Sequence, residues 1–242
     1  HLDPAHAASR FERIDPATAS RFEPEGEREA GGEAEGGRAP DRIGRGTTAF
    51  VVADASGNMV AATQTLSTWG GTFYVSKGLG FLYNNHLRGY RTARGAYGQL
   101  LPLMRSSSTS NPTLVFRGGT GGLRPWLALG AAGNAWITAS VYGIVTGVVD
   151  GGLPMQAAVE APRFLVMRDP ADRRGTGALV QIEDRFPRVV LDDLARRGHR
   201  FQKIGRKGEV RYGYAAAALV DLDAGRVEGG TEPRRSHAAV AW

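Results

Sequence analysis

The composition of the chain changes abruptly at Thr47, and this change most constrains how the chain can fold. Residues 23–45 consist mainly of Glu, Gly, Ala, Arg and Pro, with almost no large apolar side chain. Such a stretch cannot bury enough apolar surface to offset the entropy lost on ordering it. From Thr47 onward, short strand-forming runs alternate with turns rich in Gly and Asp. We therefore expect a mobile linker over 23–45 and a packed core that starts at Thr47.

The hydroxyl residue at this boundary, Thr47, stands at the mouth of the first predicted strand and directly after Gly46. A threonine hydroxyl is a weak nucleophile unless a base lies beside it, and a free α-amino group on the same residue can serve as that base. Cleavage of the Gly46–Thr47 bond would create this amino group. The pattern therefore predicts a self-cleavage site in which Thr47 becomes both nucleophile and base.

The composition excludes several classes of protein. With 242 residues, of which 42% are hydrophobic, the chain can bury one sizeable core, and one compact domain is expected. The absence of cysteine excludes disulfides, zinc–thiolate sites and a cysteine nucleophile. The net charge of +6 comes from arginines spread along the chain, in clusters too short to follow a phosphate backbone. No nucleic-acid partner is therefore expected.

The sequence predicts neither a membrane segment nor a metal site. No apolar run reaches the ~18 residues of a spanning helix, and the residues after His1 lack the charged start and apolar middle of a signal peptide. His6 and His199 have no second ligand at metal-binding spacing, and no cofactor is predicted. Because the first residue is not methionine, the sequence fits a fragment of a longer protein. Its localisation, cytoplasmic or secreted, stays open.

The predicted elements are those of an α+β protein. Uniformly apolar sequence at Ala135–Val149, followed by Gln156–Ala161, indicates two buried helices. The loop 117–122 lacks the Lys-Ser/Thr ending of a phosphate loop, so we interpret it as a hairpin turn. Other helices are predicted within 3–20 and at Val189–Arg197. Strands are predicted at Ala49–Ala53, Met59–Thr65, Thr72–Val75, Gly80–Leu82, Thr113–Phe116, Trp126–Leu129, Val180–Ile182 and Tyr214–Asp221.

A set of motifs follows Thr47 in an order that resembles the small subunit of the γ-glutamyltransferases. The later part of the chain agrees, with a glycine-rich segment, a helix exit and a C-terminal Glu-Pro-Arg where the family has Asp-Pro-Arg. The motifs are Thr47-Thr48, Asp54-Ala55-Ser56-Gly57-Asn58, Thr63-Gln64-Thr65-Leu66, Gly80-Phe81-Leu82-Tyr83-Asn84-Asn85, Asn111-Pro112-Thr113, Leu129-Gly130-Ala131-Ala132-Gly133-Asn134, Glu160-Ala161-Pro162-Arg163-Phe164 and Glu232-Pro233-Arg234.

This resemblance implies a fold and a division of the chain. The fold is the four-layer αββα sandwich of the N-terminal nucleophile hydrolases. Residues 47–242 correspond to the small catalytic subunit, and residues 1–46 are similar to the tail of the large subunit with its flexible linker. The resemblance thus implies that the chain is the C-terminal part of a longer precursor.

The resemblance also assigns catalytic roles. Thr47 is the implied nucleophile, Thr65 orients its new α-amino group, and the backbone N–H groups of Gly133 and Asn134 hold the tetrahedral oxyanion. Each residue has a plainer interpretation. Thr47 could simply open a strand, Thr65 could be a solvent-facing hydroxyl, and the pair at 133 and 134 could form an ordinary strand-to-helix turn.

The substrate-side positions depart from the family pattern. Ser67 stands where the family commonly has Asn, and Gly89 stands where an acidic residue takes the substrate α-amino group. His86 and Arg88 lie near these positions in the sequence, so the side of the substrate pocket that they form, here called the substrate wall, is neutral to positive. Such a wall suits a carboxylate or an uncharged acyl group. The alternative for His86 is an ordinary histidine in a surface loop.

The family's serine pair, which binds the substrate carboxylate, aligns with Ser108 and Thr109. The function implied is γ-glutamyl transfer or hydrolysis through an ester on Thr47, with a small acyl donor, water or an amine as acceptor, and the large subunit of the same precursor as partner. Two alternatives remain open. One is a related acylase acting on a non-glutamyl acyl group, and the other is a pseudoenzyme that only binds a ligand or partner.

Overall fold

The computed structural model describes residues 3–21, 46–96, 98–106, 108–119, 121–172, 177–205, 213–235 and 238–241. The predicted linker at 23–45 lies outside these described residues. Along the described part of the chain, helices and strands are mixed. The elements are α1 Pro4–Glu12, β1 Thr47–Ala53, β2 Met59–Thr65, a 3₁₀ turn His86–Gly89, β3 Thr113–Gly119, β4 Gly122–Ala132, α2 Trp136–Val149, α3 Met155–Glu160, β5 Phe164–Arg168, β6 Ala178–Ile182, α4 Arg188–Arg196, β7 Arg200–Lys203, β8 Tyr214–Asp221 and β9 Arg226–Gly230. The predicted α+β class is confirmed.

Two compact units share the chain, one within residues 1–38 and 164–206 and the other within 39–163 and 207–242. The larger unit contains the antiparallel hairpin β1–β2 and a four-stranded antiparallel sheet in the order β3-β4-β8-β9. The predicted hairpin at 117–122 is confirmed by the pairing of β3 with β4.

The two faces of β4, in the four-stranded sheet, carry side chains of different size. Leu127, Leu129 and Ala131 of β4 pack on one face against Ile137 and Ile144 of α2, together with residues of α3. The opposite face of β4 carries small residues and meets the hairpin. Because side chains alternate across a strand, one sequence serves both interfaces. The described part of this unit therefore supplies a helical layer and two β layers.

Two close approaches fix how the hairpin runs across β4. A Cβ on Gly57, in the turn between β1 and β2, would lie 2.9 Å from Pro125 near the start of β4. A Cβ on Gly130, further along β4, would lie 3.5 Å from Ala49 and 3.6 Å from the Thr63 hydroxyl. The open end of the hairpin therefore lies over the C-terminal end of β4.

The smaller unit contains the sheet β5-β6-β7, in which β6 pairs antiparallel with β5 and parallel with β7. Asp3 caps α1 by accepting a hydrogen bond from the Ala5 N–H at 2.9 Å, as Asp and Pro at a helix start predict. Helix α4 ends before Gly198, whose φ of +95° is the left-handed conformation expected after a helix.

Three sequence predictions need correction. Thr72–Val75 and Gly80–Leu82 are not strands, because φ is positive at Phe73, Gly78 and Gly80, which turns the chain away from extended geometry. Two hydrogen bonds, Thr72 N–H to Tyr83 O and Tyr83 N–H to Tyr74 O, close this segment as a loop. Helix α2 is not buried all round, since Tyr142 on its outer face is 58% exposed.

None of the helices in the described ranges is long and apolar enough to cross a membrane.

Candidate active site

Thr47 and Thr65 lie opposite each other at the open end of the β1–β2 hairpin. The strand register pairs the two residues directly, and their hydroxyl oxygens are 2.8 Å apart, within hydrogen-bond distance. The Thr65 hydroxyl also accepts the Ser67 N–H at 2.9 Å. Two half-buried hydroxyls are thus hydrogen-bonded to each other at the point where the sequence predicts a nucleophile and its orienting residue.

The Gly46–Thr47 peptide is part of this site. The Gly46 carbonyl accepts the Leu66 N–H at 3.4 Å, which continues the hairpin ladder by one pair. A Cβ on Gly46 would lie 3.4 Å from Trp69 Cα and 3.5 Å from Thr68 O, which is ordinary van der Waals contact with this backbone. The Gly46–Thr47 peptide is therefore packed against the segment that follows Thr65.

Asn85 fixes the segment that follows Thr65. Its side chain accepts the Thr68 N–H at 3.2 Å and donates to the Thr68 hydroxyl at 2.7 Å, and its own N–H donates to Leu66 O at 3.1 Å. Between these anchors Ser67 has a φ of +75°, in the left-handed region that non-glycine residues rarely adopt. Sequence reasoning used Asn85 only as part of a motif and missed this role, whose signal is the paired asparagines.

The Asn85 contacts bring the candidate substrate wall beside Ser67. His86 is half-buried, and its N–H donates to the Asn84 side chain at 3.0 Å. It begins the 3₁₀ turn that ends at the exposed Gly89. Ser67 and His86 are therefore carried by two segments that Asn85 ties together.

Gly133 and Asn134 form the turn between β4 and α2. Their φ values are +128° and +56°. Trp136 donates its N–H to Gly133 O at 3.2 Å, so the planar trans peptide between Gly133 and Asn134 points its carbonyl toward α2 and the Asn134 N–H away from it. This turn follows the C-terminal end of β4. The open end of the hairpin, with Thr47 and Thr65, lies over the same end of β4.

A buried ion cluster stands behind this turn. A Cβ on Gly133 would lie 2.6 Å from the Gly213 nitrogen, and the carbonyl of Gly213 accepts a hydrogen bond from Arg163. Arg163 also pairs with Glu232 at 2.7 Å, and Glu232 in turn bonds Arg234 at 2.9 Å. All three charged side chains are buried. The sequence contained these residues in its motifs but gave no indication that they meet.

The predicted hydroxyl pair Ser108 and Thr109 lies in an exposed segment before β3. Ser108 accepts the N–H of Ser110 at 3.1 Å, and Thr113 bonds Asn111, so the hydrogen bonds described here are local. The structure therefore does not join this pair to Thr47 by any described contact.

Asp54 organises the turn that sets the hairpin register. Its carboxylate accepts hydrogen bonds from the Asn58 side chain at 2.8 Å, the Asn58 N–H at 3.0 Å and the Ser56 N–H at 2.9 Å. These bonds, with the Asn58 side chain first, lower the pKa of Asp54 from its ordinary value. The turn therefore favours the ionised carboxylate and, with it, the pairing of Thr47 with Thr65.

The chain is similar in sequence to several known proteins. The family model described as gamma-glutamyltranspeptidase matches residues 1–242. Among curated proteins, the chain is 28% identical over 200 residues to a glutathione hydrolase proenzyme of Bacillus subtilis (83% of this chain, 31% of the relative). It is 30% identical over 173 residues to the Acylase ACY 1 proenzyme of a Pseudomonas species (72% and 28%). The chain thus spans less than a third of the length of these relatives.

Among solved structures, the gamma-glutamyltranspeptidase of Pseudomonas nitroreducens, complexed with L-DON, aligns with a TM-score of 0.62 and 25% identity. The alignment covers 81% of this chain and 99% of that one. It confirms the fold that the motif order implied.

Proposed function

Because the chain belongs to the γ-glutamyltranspeptidase family, we propose that it is the C-terminal, catalytic part of a self-processing acyltransferase or hydrolase. The observation that carries the proposal is the hydroxyl pair Thr47–Thr65, which adjoins a glycine peptide at the start of a strand. The lengths of the relatives support a longer precursor, in which we propose that residues 47–242 form the small subunit.

Processing would use the same hydroxyl as catalysis. The Thr47 Oγ1 attacks the Gly46 carbonyl carbon, the C–N bond breaks, and the proton leaves Oγ1 for the Thr47 nitrogen, which gives an ester. This step frees the Thr47 α-amino group, and water then hydrolyses the ester, which releases the Gly46 carboxylate and restores the Thr47 hydroxyl. The Thr65 hydroxyl is proposed to hold the proton during transfer, which its distance of 2.8 Å from Oγ1 supports.

Acyl transfer would follow with the free amine as base. Thr47 attacks the acyl carbon of the donor, the leaving amine takes a proton, and an ester forms on Oγ1. Water or an acceptor amine then attacks this ester and releases the acyl group. The N–H groups of Gly133 and Asn134 are proposed to hold the oxyanion in both steps, where a single donor contributes about 3 kcal/mol.

The acyl group is proposed to be γ-glutamyl, with a second candidate in an acylase for other acyl groups. The curated relatives include both a glutathione hydrolase and an acylase. Half-buried His86 beside Ser67, and Gly89 in place of an acid, favour a neutral or anionic group on that wall. A donor panel containing γ-glutamyl and glutaryl amides separates the two candidates.

The experiment that tests the proposal is the intact mass of the full precursor after purification and a day's incubation. We expect two fragments divided at Gly46–Thr47 for the wild type and for Thr47→Ser, and one intact chain for Thr47→Ala. A folded wild type that stays uncut would contradict the proposal and favour the binding pseudoenzyme.

A further inference from the structure

Strands β1 and β8 run in the same direction in the two facing β layers. At the turn of the hairpin, a Cβ on Gly57 would lie 3.4 Å from the side chain of Leu222, which follows β8. Nearer the open end, a Cβ on Gly130 would lie 3.5 Å from Ala49 of β1, and Gly130 pairs with Ala216 of β8. These two contacts fix the register of β1 on β8.

Tyr214 lies at the Thr47 end of this arrangement. Thr47 is two residues before Ala49 in β1, and Tyr214 is two residues before Ala216 in β8. Side chains two residues apart in a strand share a face, so Tyr214 faces the hairpin and Thr47 faces the sheet. Tyr214 also pairs with Ala132, directly before the turn between β4 and α2. The half-buried tyrosine therefore stands at the mouth of the candidate site.

Arg235 lies over the ring of Tyr214. Its guanidinium carbon is 4.8 Å from the ring centroid, a cation–π contact. Arg235 is exposed, and within the described part of the chain no carboxylate forms an ion pair with it. Its buried neighbours Arg163 and Arg234, in contrast, both pair with Glu232. The ring thus positions a guanidinium whose charge no described side chain neutralises.

The mouth of the site therefore has two walls. The substrate wall, with His86 and Arg88, continues from β2 through the segment that Asn85 holds. Tyr214 and Arg235 lie on the other side, because β1 is the strand nearer β8. A guanidinium binds a carboxylate through two parallel hydrogen bonds, and its charge repels an ammonium.

We infer that Arg235, held in place by Tyr214, binds a carboxylate of the acyl donor and so determines which donors the site accepts. The inference rests on the proposed function and adds a specificity-determining residue to it. Specificity is a difference between affinities, so donors with a carboxylate should be favoured over uncharged donors of the same shape. The alternative for Tyr214 is simple packing at the start of a strand, which would affect all donors alike.

Two matched pairs of donors test the inference on the full precursor after processing. The donors are para-nitroanilides, glutaryl against pentanoyl and γ-glutamyl against γ-aminopentanoyl, and in each pair a methyl group replaces one carboxylate. In at least one pair we expect the wild type to favour the carboxylate donor by about tenfold or more in kcat/KM. Arg235→Gln should remove this preference, mainly through KM. Arg226→Gln, which removes an exposed arginine at the far end of β8, is the matched control and should keep it.

The outcomes separate this inference from the proposed function. A cut enzyme without the preference, or one that keeps it in Arg235→Gln, would overturn the inference alone. A folded precursor that stays uncut, or a cut one that turns over none of the donors, would overturn both.

Tyr214→Leu tests whether the ring acts through Arg235. We expect it to reduce the same preference by about threefold or more, and to have no further effect on the preference in the double variant with Arg235→Gln. An equal loss of kcat/KM on all the donors would show a structural role for the ring and overturn its part in the inference.

Discussion

At the scale of single residues, the candidate site combines three backbone conformations that ordinary side chains avoid. Ser67 and Asn134 both have positive φ, and Gly133 adopts a φ that glycine reaches most easily. Non-glycine residues in such regions cost about 1–3 kcal/mol each and persist only where neighbouring contacts hold them. Asn85 supplies those contacts for Ser67, whereas Gly213 backs Gly133.

Gly89→Asp tests the account of the substrate wall at this scale. If Gly89 replaces an acid that would bind a substrate ammonium, the carboxylate should raise kcat/KM on a γ-glutamyl anilide by about tenfold, since a charge-assisted hydrogen bond contributes about 1.5–3 kcal/mol. Gly89→Asn is the matched control without charge and should change little. Unchanged kinetics for Gly89→Asp in a folded, processed enzyme would contradict this account.

At the scale of elements, the β1–β2 hairpin determines where the two threonines meet. The seven-residue strands pair from Thr47–Thr65 at the open end to Ala53–Met59 at the turn. A slip of one residue would turn every side chain of one strand to the wrong face. The Asp54 turn therefore acts on the site from the far end of the hairpin.

The Asp54 turn predicts a pH dependence of stability. The folded state lowers the pKa of Asp54, so its contribution is complete above the unfolded value of about 3.9 and is lost as pH falls through the lower, folded value. The difference in unfolding free energy between wild type and Asp54→Asn should therefore be constant above about pH 5 and shrink below pH 4. Urea titrations at several pH values measure it. A difference independent of pH would show that the carboxylate charge is immaterial.

The strands whose bounds could be predicted are those whose own residues favour a strand, whereas strands that depend on a distant partner could not be predicted. Met59–Thr65 and Tyr214–Asp221 were predicted with their observed bounds, because uninterrupted strand-forming runs end at turn residues. Strand β9, Arg226–Gly230, was missed because its short sequence is polar and glycine-rich, and it is a strand only through pairing with β8. In the site, the Thr47–Thr65 spacing was visible in the sequence, whereas Glu232 reaches Arg163 across 69 residues.

At the scale of the whole larger unit, Glu232 joins three distant parts of the chain. Its carboxylate accepts hydrogen bonds from Arg163 after α3, from the N–H of Ala215 in β8 at 2.9 Å, and from Arg234 near the C-terminus. A buried charge satisfied on all sides contributes little net stability when intact, but removal of one member of the cluster takes away the charge that the others face.

Glu232→Gln should therefore be strongly destabilising. We expect a loss of about 3–5 kcal/mol in the free energy of unfolding, measured by urea denaturation, because two buried arginines lose their counter-ion. Glu228→Gln is the matched control, since its pair with Arg226 at 3.2 Å is partly exposed and should contribute less than about 1 kcal/mol. Similar losses for the two variants would show that burial of the cluster has no energetic consequence.

Thr47 is the first residue of a paired strand rather than part of a free loop, so the proposed cleavage would leave the new chain end within a hydrogen-bonded ladder. A chain end produced by cleavage ordinarily frays, and a frayed amine would serve poorly as a base. Here the new terminus would be clamped by the same ladder that held it before the cut, so precursor and product would share one local structure. Heating should then abolish activity when the hairpin opens locally, before the remainder of the molecule melts.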